Sequence, residues 1–217
     1  MTSRNIPITA DIEAYVIAHG AEPDPVMRDL IAETRSVLPD EAGMQVGSDQ
    51  AALLTFLTRL VNARQAVEIG TFTGLSALAI ALGLAEGGRL ICFDISEDFT
   101  SIARRYWDRA GVQDRVELRI GPAAESVKAL PSDPVIDFAF VDADKAGYPT
   151  YWAQLVPRMR PGGIIAVDNV LRGGRVLHPT SEADRVVATF NDDVAKDDRV
   201  DAIMLPMADG ITLARRR

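Results

Sequence analysis

Apolar residues along this chain recur first at helical spacing and then in short blocks. Residues 9–18 read as a helix with Thr9 as its N-cap, and residues 25–38 as a second, with Asp24 capping and Pro25 at the first helical position. Pro39 and Gly43 interrupt that pattern. A third helix starts at Ser48, where Leu53, Leu54, Leu57, Leu60 and Val61 fall at spacings of three and four. After Asn62 the blocks shorten. Strands are predicted over residues 66–69, 90–93, 116–120, 136–141 and 164–167. Between them lie helices over 75–84, 97–110, 123–130 and 151–159, the last stopped by Pro161-Gly162-Gly163. A helix over 182–195 follows, and strands 202–205 and 211–214 flank a turn at Asp209-Gly210.

Such β-α alternation implies a mostly parallel sheet with helices on both faces, and the tail adds an antiparallel edge. The length of 217 residues fits one domain. Residues 1–43 read as an N-terminal helical cap and residues 44–217 as the core. With 47% hydrophobic and 25% charged residues the balance is that of a globular protein. The net charge of −8 argues against non-specific binding to nucleic acid, which calls for a basic face. The single cysteine, Cys92, allows no internal disulfide, and a reducing cytoplasm is the simplest home. The stretch Met1 to Tyr15 has no apolar core of a signal peptide, and no apolar run reaches the roughly 20 residues that span a bilayer.

In open α/β sheets, ligands bind beyond the carboxyl ends of the strands. Glu68, Asp94, Asp142 and Asp168 all sit at or near such ends. The first strand runs into Glu68-Ile69-Gly70-Thr71-Phe72-Thr73-Gly74. A dinucleotide fold wants G-x-G-x-x-G, with backbone amides free for a pyrophosphate. This loop reads G-x-x-x-G and follows a carboxylate, which suits a cationic ligand better than an anion. S-adenosylmethionine (SAM) carries an ammonium and a sulfonium and no phosphate. Asp94, at the end of the second strand, suits the two hydroxyls of a ribose, which SAM and NAD share. The bland reading is a tight turn in which Asp94 only caps the next helix.

The fourth strand ends Val141-Asp142-Ala143-Asp144-Lys145 and the fifth ends Val167-Asp168-Asn169. Consecutive strands of this kind usually lie side by side. Asp142, Asp168 and Asn169 would then form an all-oxygen set, suited to Mg²⁺, Mn²⁺ or Ca²⁺ rather than zinc. The two histidines, His19 and His178, lack metal-ligand spacing. A cation beside a phenolic oxygen lowers its pKa, and Lys145 is positioned to take the hydroxyl proton. The competing readings are an Asx turn at Asp168-Asn169 and a solvated pair at Asp144-Lys145.

The strings Val67-Glu68-Ile69-Gly70-Thr71-Phe72-Thr73-Gly74, Phe140-Val141-Asp142-Ala143-Asp144-Lys145 and Asp168-Asn169-Val170-Leu171 resemble the cation-dependent class I SAM O-methyltransferases. That family includes the caffeoyl-CoA and catechol O-methyltransferases. The resemblance runs from about Met44 to the Asp209-Gly210-Ile211-Thr212 tail. It implies a three-layer Rossmann-like sheet with an antiparallel last strand, a SAM cofactor and a divalent cation, most readily Mg²⁺. Val46, Glu68, Gly70, Thr71, Ser76, Asp94 and Ala123 would line the SAM site. Asp142, Asp168 and Asn169 would bind the metal, with Asp142 also near the methionine end of SAM. Lys145 would be the base or would orient the acceptor. The acceptor would be a catechol-like or other vicinal-diol small molecule, and the protein a homodimer.

Two departures bear on acceptor choice. Leu75 follows the second glycine where relatives often carry an aromatic, and Arg172, ahead of Gly173-Gly174, stands where plant enzymes have Trp. Arg172 would meet an anionic acceptor or point to solvent. Three functions compete with small-molecule O-methylation: a tRNA-modifying member of the family, an NAD(P)-linked oxidoreductase and a non-catalytic SAM-binding module. The oxidoreductase lacks both G-x-G-x-x-G and a Tyr-x-x-x-Lys pair. Arg104-Arg105 read as solvated, Arg215 to Arg217 as a frayed basic tail, and Tyr148 as undecided.

Overall fold

In a computed structural model, which describes residues 6–217, three helices precede the first strand: α1 (Ala10–His19), α2 (Pro25–Val37) and α3 (Ser48–Leu60). The first five residues of the stretch read for a targeting signal lie outside the described residues. Thr9 caps α1 through Ile12 N–H, and Asp24 caps α2 through Val26 N–H. α1 buries none of its residues, whereas α2 buries Met27, Leu30 and Thr34. The core then alternates strand and helix: β1 (Gln65–Ile69), α4 (Leu75–Gly83), β2 (Arg89–Asp94), α5 (Glu97–Arg109), β3 (Val116–Ile120), α6 (Ala123–Ser126), β4 (Ile136–Val141), α7 (Tyr148–Leu155), β5 (Met159–Val167) and α8 (Glu182–Lys196). A hairpin of β6 (Val200–Leu205) and β7 (Ile211–Arg216) closes the chain.

The seven strands form one sheet in the order β3-β2-β1-β4-β5-β7-β6. All pairs are parallel except β5–β7 and β6–β7, so β7 alone runs against its neighbours. The expected mostly parallel sheet with an antiparallel last strand is therefore present. β4 lies at its centre and is buried at every position, which explains its continuous apolar run. Helices cover both faces, giving two apolar layers: one built on α3, α4 and α5, the other on α7 and α8. The order reverses between β1 and β4, and ligands bind such folds at that switch point.

Some boundaries differ from the sequence reading. α7 begins at Tyr148, because Pro149 is tolerated in a first turn that needs no donor there. It ends at Leu155, and Pro157 leads into a single 3-10 turn. β5 starts at Met159, so Pro161-Gly162-Gly163 lies inside the strand rather than before it. The pairing with β4 shifts register there, and Gly162 has φ +84°. A Cβ on Gly163 would sit 2.9 Å from the Ile136 carbonyl oxygen, so only glycine allows that close approach. The helix expected over 123–130 is one α turn followed by a 3-10 turn. The basic tail is not frayed: β7 extends to Arg216, and Arg217 bonds the Arg199 carbonyl and pairs with Asp201. Arg105 is not merely solvated, since it pairs with Glu33 of α2.

Candidate active site

Backbone bonds draw four strand tips into one rim. Gly70 N–H donates to the Phe93 carbonyl at 2.9 Å, Asp142 N–H to Ile69 at 2.8 Å, and Asp168 N–H to Val141 at 3.0 Å. Gly70 has φ +91°, and a Cβ there would lie 1.9 Å from the Asp142 carbonyl oxygen. The glycine loop is thus pressed against the tip of β4, and no other residue fits.

The rim opens into a cavity of about 1530 Å³. Single small-molecule sites commonly run to roughly 1,000 Å³, so the space admits two ligands side by side. Gly70, Thr71, Ser76 and Asp142 line its middle, and Val46 reaches in from the segment before α3. Asp94 and Ala123 line one end, with Ile95 and Phe99. Lys145, Asp168 and Asn169 line the other, with Met207, whose carbonyl accepts from Gly210 N–H beside the loop after β5.

Asp94 is gripped by the backbone. One carboxylate oxygen accepts from Thr71 and Phe72 N–H at 2.9 and 2.8 Å, and the other from Ser96 N–H at 2.8 Å. It fixes the glycine loop while still facing the cavity. The cap of α5 is Ser96, not Asp94.

Glu68 does not line the cavity. It is fully buried beneath the loop, and neither carboxyl oxygen has a hydrogen-bond partner among the described residues. Burial pushes its pKa up to about 7; Ser76, Cys92 and Thr71 lie close enough to offset part of that shift without completing a bond of normal geometry. An unpaired buried carboxyl is costly, so it marks a place where a cationic ligand nearby is favoured.

At the other end, one ammonium gathers three acceptors. Lys145 Nζ donates to Asp142 Oδ1 at 3.1 Å, Asn169 Oδ1 at 2.7 Å and the Tyr148 hydroxyl at 2.7 Å. The Tyr148 hydroxyl in turn donates to the Asp168 carbonyl at 2.8 Å. Asp168 is buried; one carboxylate oxygen accepts from Gln50 Nε2 at 2.9 Å and the other from Asn169 N–H at 2.7 Å. Burial, then the charge of Asp142, raises its pKa to about 6. The residues expected to converge here do so: Asp142, Asp168, Asn169 and Lys145 share one corner of the cavity. Asp142 and Asn169 already present side-chain oxygens to a common positive charge. Among the described residues no cluster of three His, Cys, Asp or Glu surrounds a point, so a metal here would rest on two carboxylates and an amide.

Two members of this corner were not assigned from sequence. Tyr148 stands three residues after Lys145, one helical turn away, which is the signal that places it. Gln50 lies 118 residues from Asp168 and carries no local signal beyond its place three residues after Gly47, whose N–H it accepts at 2.9 Å. Arg172 neither lines the cavity nor is simply solvated: it reaches Asp184 Oδ1 at 3.3 Å, beside Arg175 at 3.2 Å.

The O-methyltransferase family profile matches residues 17–217. This chain belongs to the O-methyltransferase family. It is a class I SAM-dependent enzyme of that family, and neither a tRNA-modifying role nor an oxidoreductase is favoured. The chain is 35% identical to caffeoyl-CoA O-methyltransferase of Mesembryanthemum crystallinum, covering 94% of this chain and 84% of that protein. It is also 35% identical to catechol O-methyltransferase domain-containing protein 1 of Mus musculus, covering 92% and 78%. The solved O-methyltransferase from Bacillus cereus in complex with SAH superposes with a TM-score of 0.86 at 32% identity, covering 95% and 97%. TomG of Streptomyces achromogenes, an O-methyltransferase involved in tomaymycin synthesis solved with SAM, gives 0.85 at 30% identity, covering 95% and 96%. No helix among the described residues is long and apolar enough to cross a membrane.

Proposed function

We propose that this chain methylates one hydroxyl of a vicinal diol on an aromatic small molecule, with a divalent cation held by Asp142, Asp168 and Asn169. The observation that carries the reading is the shared ammonium of Lys145: two of the three oxygen donors already converge on a positive charge, and the third stands on the adjacent strand tip. Two carboxylates and an amide oxygen suit Mg²⁺, Mn²⁺ or Ca²⁺, and leave about half of an octahedral shell for a diol and water. When bound, such a cation lowers the pKa of the hydroxyl it touches.

SAM would lie across the middle of the cavity. Asp94 and Ala123 would take the adenosine end; Val46, Gly70, Thr71, Ser76 and Asp142 would take the methionine end. Glu68 would act from behind the loop as a fixed negative partner to the ammonium and sulfonium. Methyl transfer then needs an acceptor oxygen in line with the S–CH₃ bond. The O–CH₃ bond forms as the S–CH₃ bond breaks, and the sulfonium leaves as a neutral thioether. Lys145, once it has released its own proton to solvent, would accept the hydroxyl proton as the neutral amine, with Tyr148 orienting its nitrogen and Asp142 balancing its charge afterwards.

Residues 1–217 would work as one unit, with Ile8, Glu13, Val16 and Gly43 of the N-terminal cap closing part of the cavity. Exposed Tyr15, Phe56 and Leu60 support a homodimer, which light scattering on the eluting protein tests. The chemistry is tested by SAM titration calorimetry and by a catechol assay with SAM. Turnover should vanish in EDTA and return with Mg²⁺. Full activity in EDTA overturns the metal, and no turnover across a panel of vicinal diols overturns the acceptor class.

A further inference from the structure

Granting the diol O-methylation proposed above, we infer that this enzyme selects acceptors by charge: it takes compact diols with a neutral or cationic substituent and rejects those bearing carboxylate or phosphate, CoA thioesters included.

The starting point is what surrounds the Lys145 corner. Beyond Asp94, Asp142 and Asp168, the cavity is lined by Glu13 of α1, Asp49 of α3, Asp144 and Asp209; Asp144 precedes Lys145, and Asp49 precedes Gln50, which bonds Asp168. None of these four pairs with a lysine or arginine among the described residues. Asp209 accepts from Gly173 N–H and Asp144 from the Tyr151 hydroxyl, both neutral donors that leave the negative charge in place. Lys145 is the one cation among the described lining residues, and its three acceptors already use its donors. A divalent cation, with Lys145, would offset Asp142, Asp168 and a diol oxyanion. The other four carboxylates would remain uncompensated along the wall of the cavity that receives the acceptor.

A second, separate observation concerns the arginines that an anionic substituent would need. Arg172 and Arg175 follow Asn169 closely in the chain, yet both point at one oxygen of Asp184, at 3.3 and 3.2 Å. Asp184 is 1% exposed and is itself fixed by the Ser181 cap of α8. The loop between them is pinned again through Gly173 to Asp209. α8 therefore holds both guanidiniums away from the cavity, and a bidentate anion anchor is missing there. Ile8, Val16, Met44, Pro206 and Met207 also line the cavity and offer an apolar surface for an aromatic ring. Ring and charge requirements together describe a small uncharged or amine-bearing catechol.

The test compares catechols that differ only in the substituent: aminoethyl, hydroxyethyl and carboxyethyl, with caffeoyl-CoA as a fourth acceptor. Both kcat/KM with SAM and equilibrium affinity with S-adenosylhomocysteine and Mg²⁺ are measured. The aminoethyl and hydroxyethyl compounds should exceed the carboxyethyl one by at least about tenfold in both readouts, and the gap should narrow at high salt. The double variant Glu13→Lys/Asp49→Lys, checked for folding by circular dichroism, should shift the anionic-to-cationic ratio about tenfold or more towards the anion. Equal or better use of the carboxyethyl or CoA acceptor by the unaltered enzyme overturns the charge selection while leaving diol methylation intact. Failure to methylate any of the four overturns the diol reading and the charge selection with it.

Discussion

Gln50 Nε2 donates to Asp168 Oδ2 at 2.9 Å, across 118 residues of chain. The same amide accepts the Gly47 N–H with its oxygen, so one buried side chain ties the start of α3 to the tip of β5. Its conformation is set from both ends. Gln50 thereby aims the most buried carboxylate of the corner from a place in the cavity wall.

Replacing Gln50 by Leu keeps the volume and removes the donor. Partners behind a metal ligand are commonly worth 10–100-fold. Gln50→Leu is expected to raise the Mg²⁺ concentration for half-maximal activity by about tenfold or more, with SAM affinity within about threefold. Metal titrations of activity, and calorimetry with SAM, read the two separately. An unchanged Mg²⁺ requirement would remove Gln50 from the positioning role.

Lys145→Ala should lower kcat by roughly 10²–10⁴, the usual worth of a placed proton acceptor. SAM affinity should fall far less than kcat, because Lys145 reaches the SAM site only through Asp142. Single-turnover kinetics with saturating catechol check this; a loss below about fivefold would reassign the base.

Gly70→Ala should be far worse than Gly87→Ala. At Gly70 the new methyl meets the Asp142 carbonyl at 1.9 Å; at Gly87, with φ +72°, nothing lies within 4 Å. The first should cost about 3 kcal/mol and about 6–12 °C in Tm, the second about 1 kcal/mol for the left-handed conformation alone. Differential scanning calorimetry of both variants measures the contrast.

The Glu68 carboxyl gives a pH signature with a definite sign. Its folded pKa is raised to about 7 from an ordinary value of 4.5, so the folded state holds the proton more tightly. The contribution is fully present below pH 4.5 and is lost as pH rises through about 7. Unfolding free energy of the ligand-free protein should fall across that window by an amount on the order of 3 kcal/mol. Glu68→Gln should flatten this slope, as denaturant titrations at pH 5 and pH 8 would reveal. SAM should stabilise the unaltered protein more at pH 8 than at pH 5, because its positive charge favours the ionised carboxyl.

The sheet was legible because its strands are short apolar blocks with acidic ends, and periodicity reports such blocks directly. Asp94, Asp142 and Asp168 could be read as converging because parallel strands deliver their carboxyl ends to one edge. Glu68 was misplaced by the same logic: alternation along β1 turns its side chain beneath the loop, and position at a strand end does not say which way a residue points. Gln50, the Arg172–Asp184 pair and the interior of β5 were hidden for another reason. Each depends on a contact between distant segments, or on a backbone approach that only glycine allows.

The loop after β5 has its own long-range debt. Val170 N–H bonds the Gly210 carbonyl, and Leu171 N–H the Asp209 carbonyl, at 3.1 and 2.9 Å. Asn169 is therefore framed by the turn that opens β7, the final strand. During synthesis this corner cannot assume its finished shape until the last hairpin has left the ribosome. Because β7 runs antiparallel to the rest, Arg215 pairs with Ile164 at the end of the strands opposite the cavity, so a label or tether placed there leaves the cavity mouth open.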